Sequence, residues 1–488
     1  MADTYSLKRT APEDSAVAAK APAKAEGAAT TGGRIPGRLV SLDAYRGFIM
    51  TMLAANGFGI AQLARLNSDN EVWQTFSYDT FQRLQFHFEH PPWESITGWC
   101  GVSFWDLIQP AFMFMVGVAM PFSSARRMAM GSGDLRRNLH ALWRAVILTL
   151  MGVFLYSMRA SQTNWVFTNV LAQIGLGYFV AWLLLQRSQQ TQIAAFVAIL
   201  VGYWGWFVMS PPPDGFDYTS VDASADNGEV YAGRFAAWSK NANAGHFFDV
   251  WLLNVLRDPK PDAASENSTP TDSASASDTA DGAGTDNAAP ADNRGLLRRW
   301  LFSSPERYTH NAGGYVTLNF IPSIATTLLG IFCGQLLIAS VSSRKTLMTL
   351  LLLAAGSLLL GVAAHHTVCP IVKRIWTPSW VLFSGGYVIG MLALFYLLFD
   401  MLPLKRTAFP LVVVGMNSIA MYMMGQLLRP WVGKHIVETH FGGLITAILG
   451  EHALDTHHIG AVVLPTSVFA VFWLTAYWMY RNRYIVRV

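Results

Sequence analysis

The residues best suited to chemistry fall between His87 and Gly117, in HFEHPPWESITGWCGVSFWDLIQPAFMFMVG. A loop histidine titrates near neutral pH, so His90 can move a proton or carry an acyl group. Asp106 follows at the edge of an apolar run and can orient and charge-stabilise an imidazole. The plain alternatives are an interfacial histidine that only hydrogen-bonds, and an acid paired with the intramembrane Arg144. Asn56 lies within the preceding apolar segment. An amide at that depth is costly unless it faces the bundle interior or a site, where it can donate to an oxyanion.

Further polar residues flank this centre. Asp43 and Arg46 are spaced i,i+3 and share one helix face. They suit either an interfacial salt bridge or recognition of an anionic substrate from the cytoplasm. Asn417 and Ser418 interrupt the apolar VVGMNSIAMYMMGQ, as helix glue or as part of a site. Lys373, Arg374, Trp376 and Ser379 stand where an outside loop enters a span and can line an external mouth. The pairs His365/His366, His435/His440 and His457/His458 lack a carboxylate or cysteine at ligand spacing, so no metal is expected. Cys100 and Cys369 fall on one side, but nothing in the sequence brings them together.

The elements that must hold these residues are membrane helices. The chain has 488 residues, 52% hydrophobic and 14% charged, against roughly 25% charged in soluble domains. Apolar runs of about 20 residues predict ten spans in an all-α polytopic helix bundle. They cover 48–66, 102–122, 141–158, 166–185, 193–209, 318–338, 346–364, 380–402, 408–428 and 462–480. A formal charge of +4 gives no argument for nucleic acid. Residues 1–36 read as a disordered tail, and 37–488 as the transmembrane core. The core carries a long extracytoplasmic insert at 210–312. Within it, 258–294 reads as disordered, because Pro261 to Asn293 hold seven acidic residues and no basic ones. The flanks of the insert read as amphipathic segments lying on the membrane surface.

Loop charge orients the bundle. With both termini cytoplasmic, the inside turns collect Arg126, Arg127, Arg136, Arg137, Arg187, Arg344, Lys345, Lys405, Arg406 and the tail arginines, the positive-inside pattern. Eleven of the twelve histidines, all but His140, then lie outside.

RLVSLDAYRGFIM, Asn56-Gly57 and HPPW followed by DLIQPAFMFMVGVAMPFS resemble the heparan-alpha-glucosaminide N-acetyltransferase family, multi-pass membrane acyltransferases with bacterial members. IPSIATTLLGIFCGQLL, IWTPSWVL and VVGMNSIAMY continue the likeness in order. The resemblance implies transfer of an acetyl group from cytoplasmic acetyl-CoA to an amino sugar or glycan hydroxyl across the bilayer. It implies His90, Asn56 and Asp106 as catalytic residues, with Asp43, Arg46, Asn417 and Ser418 toward the donor; Arg144 joins them as an intramembrane cation. The partners implied are acetyl-CoA, a sugar or glycan acceptor and the bilayer, and a homodimer is compatible. A bacterial-type member belongs in the inner (plasma) membrane. The spacing from His90 to Asp106 is longer than the family's, which makes His87 a rival, and Ala172-Gln173 stands where relatives carry Gln-Arg. The runner-up is a polytopic transporter of a small polar or anionic solute; the sequence shows neither a repeat nor paired broken helices for it.

Overall fold

The structure is a computed structural model that describes residues 39–257 and 307–486, apart from 92, 132, 159, 161 and 341. The tail at 1–36 and the acidic stretch at 258–294 lie outside the described residues. The first span is broken, with α1 (Val40–Ala54) and α2 (Ile60–Ala64) meeting at a bend of 49°. Then come α3 (Tyr78–Gln85), α4 (Phe104–Ala129), α5 (Asp134–Ser157), α6 (Val170–Leu185), α7 (Gln189–Val208) and α8 (Ala244–Val255). The second half holds α9 (Phe320–Ala339), α10 (Ser343–Thr367), α11 (Pro378–Tyr396), α12 (Phe409–Met416), α13 (Ser418–Leu427), α14 (Arg429–Val432), α15 (Gly442–Leu449) and α16 (Gly460–Arg481).

Each of the ten predicted spans falls on one helix or on a bent pair of helices. Among the described residues, seven helices are long and apolar enough to cross a membrane, nine if the bent pairs α1–α2 and α12–α13 each form one span. The remaining one, α6, has only 16 residues. The outward faces are apolar: Leu352 and Leu360 on α10 and Val201 on α7 are more than half exposed. Water would not support such a surface, whereas hydrocarbon does. The chain is an integral membrane protein by this argument. Helices α4 and α5 also run past the predicted span ends into the basic turn, because Arg and Leu are good helix formers once the bilayer ends.

Close crossings build the interior. A Cβ on Gly117 of α4 would stand 2.0 Å from the Thr327 carbonyl oxygen of α9, and one on Gly330 would stand 2.1 Å from that of Phe114. Small residues there let two backbones touch, the usual glue where lipid removes the hydrophobic drive between helices. Asp400 accepts the Val40 and Ser41 N–H groups at 3.1 and 3.2 Å, so a carboxylate from the end of the α11 span caps α1.

Of the two flanks of the insert, the first, 235–256, lies within the described residues, and the second, RRWLFSS, lies outside them. A second core forms from Trp93, Tyr203, Phe207, Trp238, Val316 and Val372, with Trp238 stacked on Phe207 at 4.8 Å. A buried Lys240–Glu229 ion pair at 2.8 Å ties this cap together. On this flank Trp238 and Ala244 pack into that second core, while Trp251 and Val255 of α8 remain more than half exposed.

Candidate functional site

His90 sits in an irregular loop pinned from several directions. Ser103 donates to the Glu89 carbonyl at 2.6 Å, and Arg374 donates to the Pro91 carbonyl at 2.9 Å. Asn319 holds the Arg374 carbonyl in turn at 2.8 Å. Ser95 binds the Ile371 carbonyl through its N–H and accepts the Lys373 N–H, which ties the histidine loop to the loop before α11. Trp93, three residues on, is buried and donates to the Trp238 carbonyl at 3.2 Å.

These clamps bring three charged groups together. His90 Nδ1 lies 2.6 Å from Asp106 Oδ1. Lys373 Nζ lies 3.2 Å from the same oxygen and 3.3 Å from His90 Nδ1. Asp106 and Lys373 are almost fully buried, while the imidazole is 39% exposed. An ammonium has no lone pair and cannot accept from Nδ1, so the proton on Nδ1 goes to Asp106. This tautomer follows from the contacts, and it leaves Nε2 as a lone pair on the opposite ring edge. Burial pulls the His90 imidazole below its ordinary 6.5, and Lys373 pulls the same way; Asp106 opposes both. The outcome is a neutral, oriented imidazole, the form in which histidine acts as base or nucleophile.

Asp106 therefore pairs with Lys373 and His90, not with Arg144. Lys373 was placed at an external mouth from sequence but not linked to Asp106, because nothing local joins residues so far apart in the chain. Its neighbours Trp376 and Ser379 are fully buried packing residues: Trp376 donates to Thr326 at 3.1 Å and Ser379 to the Pro370 carbonyl at 2.7 Å. His87 makes a ring contact with Phe86 at 5.3 Å and joins no acid among the described residues. Cys100 and Cys369 are both free thiols. Among the described residues, no group of three His, Cys, Asp or Glu gathers to hold a metal.

Asn56 marks the break between α1 and α2. Its φ is +52°, and Gly57 and Gly59 follow at +61° and +71°, a left-handed run that ends the helix. Phe88 packs where a side chain on Gly57 would be, so the break lies against the loop that carries His90. No hydrogen bond engages the Asn56 amide among the described residues.

Arg46, Arg144 and Ser418 line a second site, a cavity of about 180 Å³, with Phe112, Met115 and Tyr178 among its walls. Arg144 donates to the Tyr178 hydroxyl at 3.2 Å and lies over its ring. Asp43 is not in this lining. Asn417 turns away from it: its Nδ2 donates to the Tyr484 carbonyl at 3.1 Å, and its Oδ1 accepts the Val486 N–H at 2.9 Å. It thus fastens the segment after α16 to the 80° break between α12 and α13. One helix joins the two sites. Asp106 is in the first turn of α4, and Phe112 to Ser123 of α4 line the cavity. At 1.5 Å per residue, the cavity begins about 9 Å below Asp106 and reaches about 26 Å below it, toward the basic turn.

No protein-family model matches the chain. The chain is similar to a curated protein, the heparan-alpha-glucosaminide N-acetyltransferase of Mus musculus, at 22% identity over 431 residues, or 83% of this chain and 54% of that protein, so it spans about half the length of the relative it matches.

Proposed function

We propose that this chain is a membrane acyltransferase that passes an acetyl group from cytoplasmic acetyl-CoA to an amino sugar or glycan hydroxyl outside the membrane. The observation that carries the reading is the placement of a neutral, acid-oriented histidine and an arginine-lined cavity along one helix, α4. A cavity of about 180 Å³ is smaller than the 300–1,000 Å³ of ordinary ligand sites. It suits the narrow acyl-bearing arm, with Arg46 and Arg144 as cations toward the phosphates and the nucleotide end on the basic turn of Arg126, Arg127, Arg136 and Arg137. Asp43 would support Arg46 from the same helix face, and Ser418 would contact the arm. Asn417 would hold Ser418 in place.

His90 Nε2 would act in one of two ways. As a nucleophile its lone pair bonds to the acetyl carbonyl carbon while the C–S bond breaks, giving an acetylated imidazolium and the thiolate of CoA; the acceptor then takes the acetyl group, the N–C bond to the imidazole breaks, and the proton the acceptor releases balances the thiolate as free thiol. As a base it removes the acceptor's proton during direct attack. Asp106 stabilises the imidazolium in either route, and Asn56 donates to the developing oxyanion. The relative's name supports the reaction class, and a bacterial-type member would work in the inner membrane.

The test is protein reconstituted in lipid and supplied with acetyl-CoA and amino-sugar acceptors. His90→Ala should abolish turnover and His87→Ala should preserve it; full activity of His90→Ala would sink the reading. One observation favours a transporter instead. Two broken spans, α1–α2 and α12–α13, cross closely, since a Cβ on Gly47 would stand 1.8 Å from the Leu411 carbonyl oxygen. Solute flux in liposomes without donor consumption would decide for that reading.

A further inference from the structure

The loop before α11 is fastened to the end of α10 by one histidine. The Ile371 N–H donates to His365 Nδ1 at 3.1 Å, so that nitrogen carries a lone pair and the proton of the ring sits on Nε2. Nε2 lies 3.2 Å from Glu94 Oε1, in the loop that carries His90. The contacts thus fix the neutral tautomer of His365, as they do for His90. The His365 side chain is 16% exposed and that of Glu94 37%, so water reaches the pair in the folded chain.

A second proton on the ring can go only to Nδ1. There it meets the Ile371 N–H, donor against donor, and the hydrogen bond is lost. Glu94 stabilises the resulting imidazolium, so acid exchanges one partner of the ring for the other. Three more groups surround the pair. His366, on the same helix, has its ring centroid 4.6 Å from that of His365 and opposes a charge there. Arg234 of the cap donates to the His366 carbonyl at 2.8 Å, and the hydroxyl of Tyr231 is buried within the field of Glu94.

What Ile371 holds is the centre around His90. Its carbonyl accepts the Ser95 N–H at 2.8 Å, and Ser95 Oγ accepts the Lys373 N–H at 3.1 Å. Lys373 in turn stands against Asp106 and His90. An unbroken run of contacts leads from His365 through Ile371, Ser95 and Lys373 to His90.

We propose that His365 is a proton-sensitive latch: neutral, it holds the Ile371 loop against the His90 loop, and protonated, it lets the two loops part. The latch is closed above the titration of His365 and opens as pH falls through it, in the region of about pH 5–7 where histidines titrate. It stands whether or not the chain transfers acyl groups.

The experiment is hydrogen–deuterium exchange of the full chain in lipid nanodiscs at pH 5–8, corrected for the intrinsic effect of pH on exchange. Protection of 369–373 and 94–97 should fall about tenfold or more from the alkaline to the acid end, because a buried N–H is left facing a donor. His365→Asn offers a carbonyl oxygen to the Ile371 N–H and has no proton to gain, so its protection should stay level. His366→Gln should respond as the wild type does. Nitrogen NMR of histidine-labelled wild type reads the tautomer without any substitution and should find Nδ1 of His365 unprotonated at pH 8. The latch is overturned by wild-type protection that ignores pH, by a His365→Asn variant that opens with acid as the wild type does, or by a proton on Nδ1 at pH 8. An acid response that belongs to His90 shows in the second of these outcomes, since His90 is intact in that variant.

Discussion

Replacing Lys373 by Met removes a buried ammonium while keeping a side chain of similar length. In the wild type, that ammonium stands 3.3 Å from His90 Nδ1, where it opposes a positive imidazole, and 3.2 Å from Asp106, whose charge it partly offsets. Both effects vanish together and act in the same direction, so the imidazolium becomes easier to form. The Coulomb energy of two unit charges at this separation is about 5 kcal/mol at an effective dielectric of 20 and about 1.3 kcal/mol in water. The imidazole is 39% exposed, so the value lies toward the water limit, at about 1–2 kcal/mol. That moves a titration by about one pH unit. In the proposed reaction His90 works neutral, so activity is present above its titration and lost as pH falls through it. In Lys373→Met the acid limb of kcat against pH should therefore shift upward by about one unit. Activity should be lost earlier than in the wild type as pH falls, and be retained at the alkaline end. Lys373→Arg, which keeps the charge, should stay near the wild-type profile. The assay is initial-rate acetyl transfer over pH 5–9, with thermal unfolding of each variant as a control for folding. An acid limb that stays in place, or moves to lower pH, would refute the assignment of Lys373 as the group that keeps His90 neutral.

Three other predictions concern groups away from His90. Asp249 on α8 is buried, accepts the Thr317 N–H at 2.8 Å, and is pushed by burial from 3.8 to about 7. The folded chain thus holds this proton more tightly than the unfolded one, so stability falls as pH rises from about 4 through 7, by at most about 4 kcal/mol. Asp249→Asn should flatten that slope in unfolding experiments across pH 4–8, and an unchanged slope would contradict the assignment. Arg144→Ala should raise the KM for acetyl-CoA about tenfold with kcat little changed, as loss of a charged hydrogen bond does, with partial rescue by Arg144→Lys. Asn417→Ala should instead cost about 1–3 kcal/mol of stability by leaving the Tyr484 and Val486 backbone groups unpaired. A large KM effect there would place Asn417 in the donor site after all.

The sequence located helices well, because a run of about 20 apolar residues is a local property with a direct physical cause. Asn56 was singled out by the cost of an amide at that depth, but the structure puts it at the left-handed turn with Gly57 and Gly59 that breaks the span, which was not read from the sequence. What it missed were meetings between distant loops. Lys373 reaches Asp106 only because Ser95, Arg374 and Asn319 clamp three loops together, and no periodicity records that. The cap was missed for the same reason: Trp238 and Asp249 looked amphipathic, and only the bundle's own loops reveal what their buried face meets. One miss was avoidable by arithmetic. A pair between Asp106 and Arg144 was weighed as an alternative, yet α4 runs into the basic turn and α5 runs back out of it. At 1.5 Å per residue, Asp106 stands about 35 Å above the end of α4 at Ala129, whereas Arg144 stands about 15 Å above the start of α5 at Asp134. Two antiparallel neighbours cannot close a gap of about 20 Å with a side-chain ion pair. The same arithmetic sets Arg144 level with Ala119 and Met120 of α4, in the wall of the lower cavity. The run of α4 and α5 thus divides the charges: the acid stands beside the histidine at one end, and the arginine stands in the wall of the lower cavity at the other, where the proposed donor would bind.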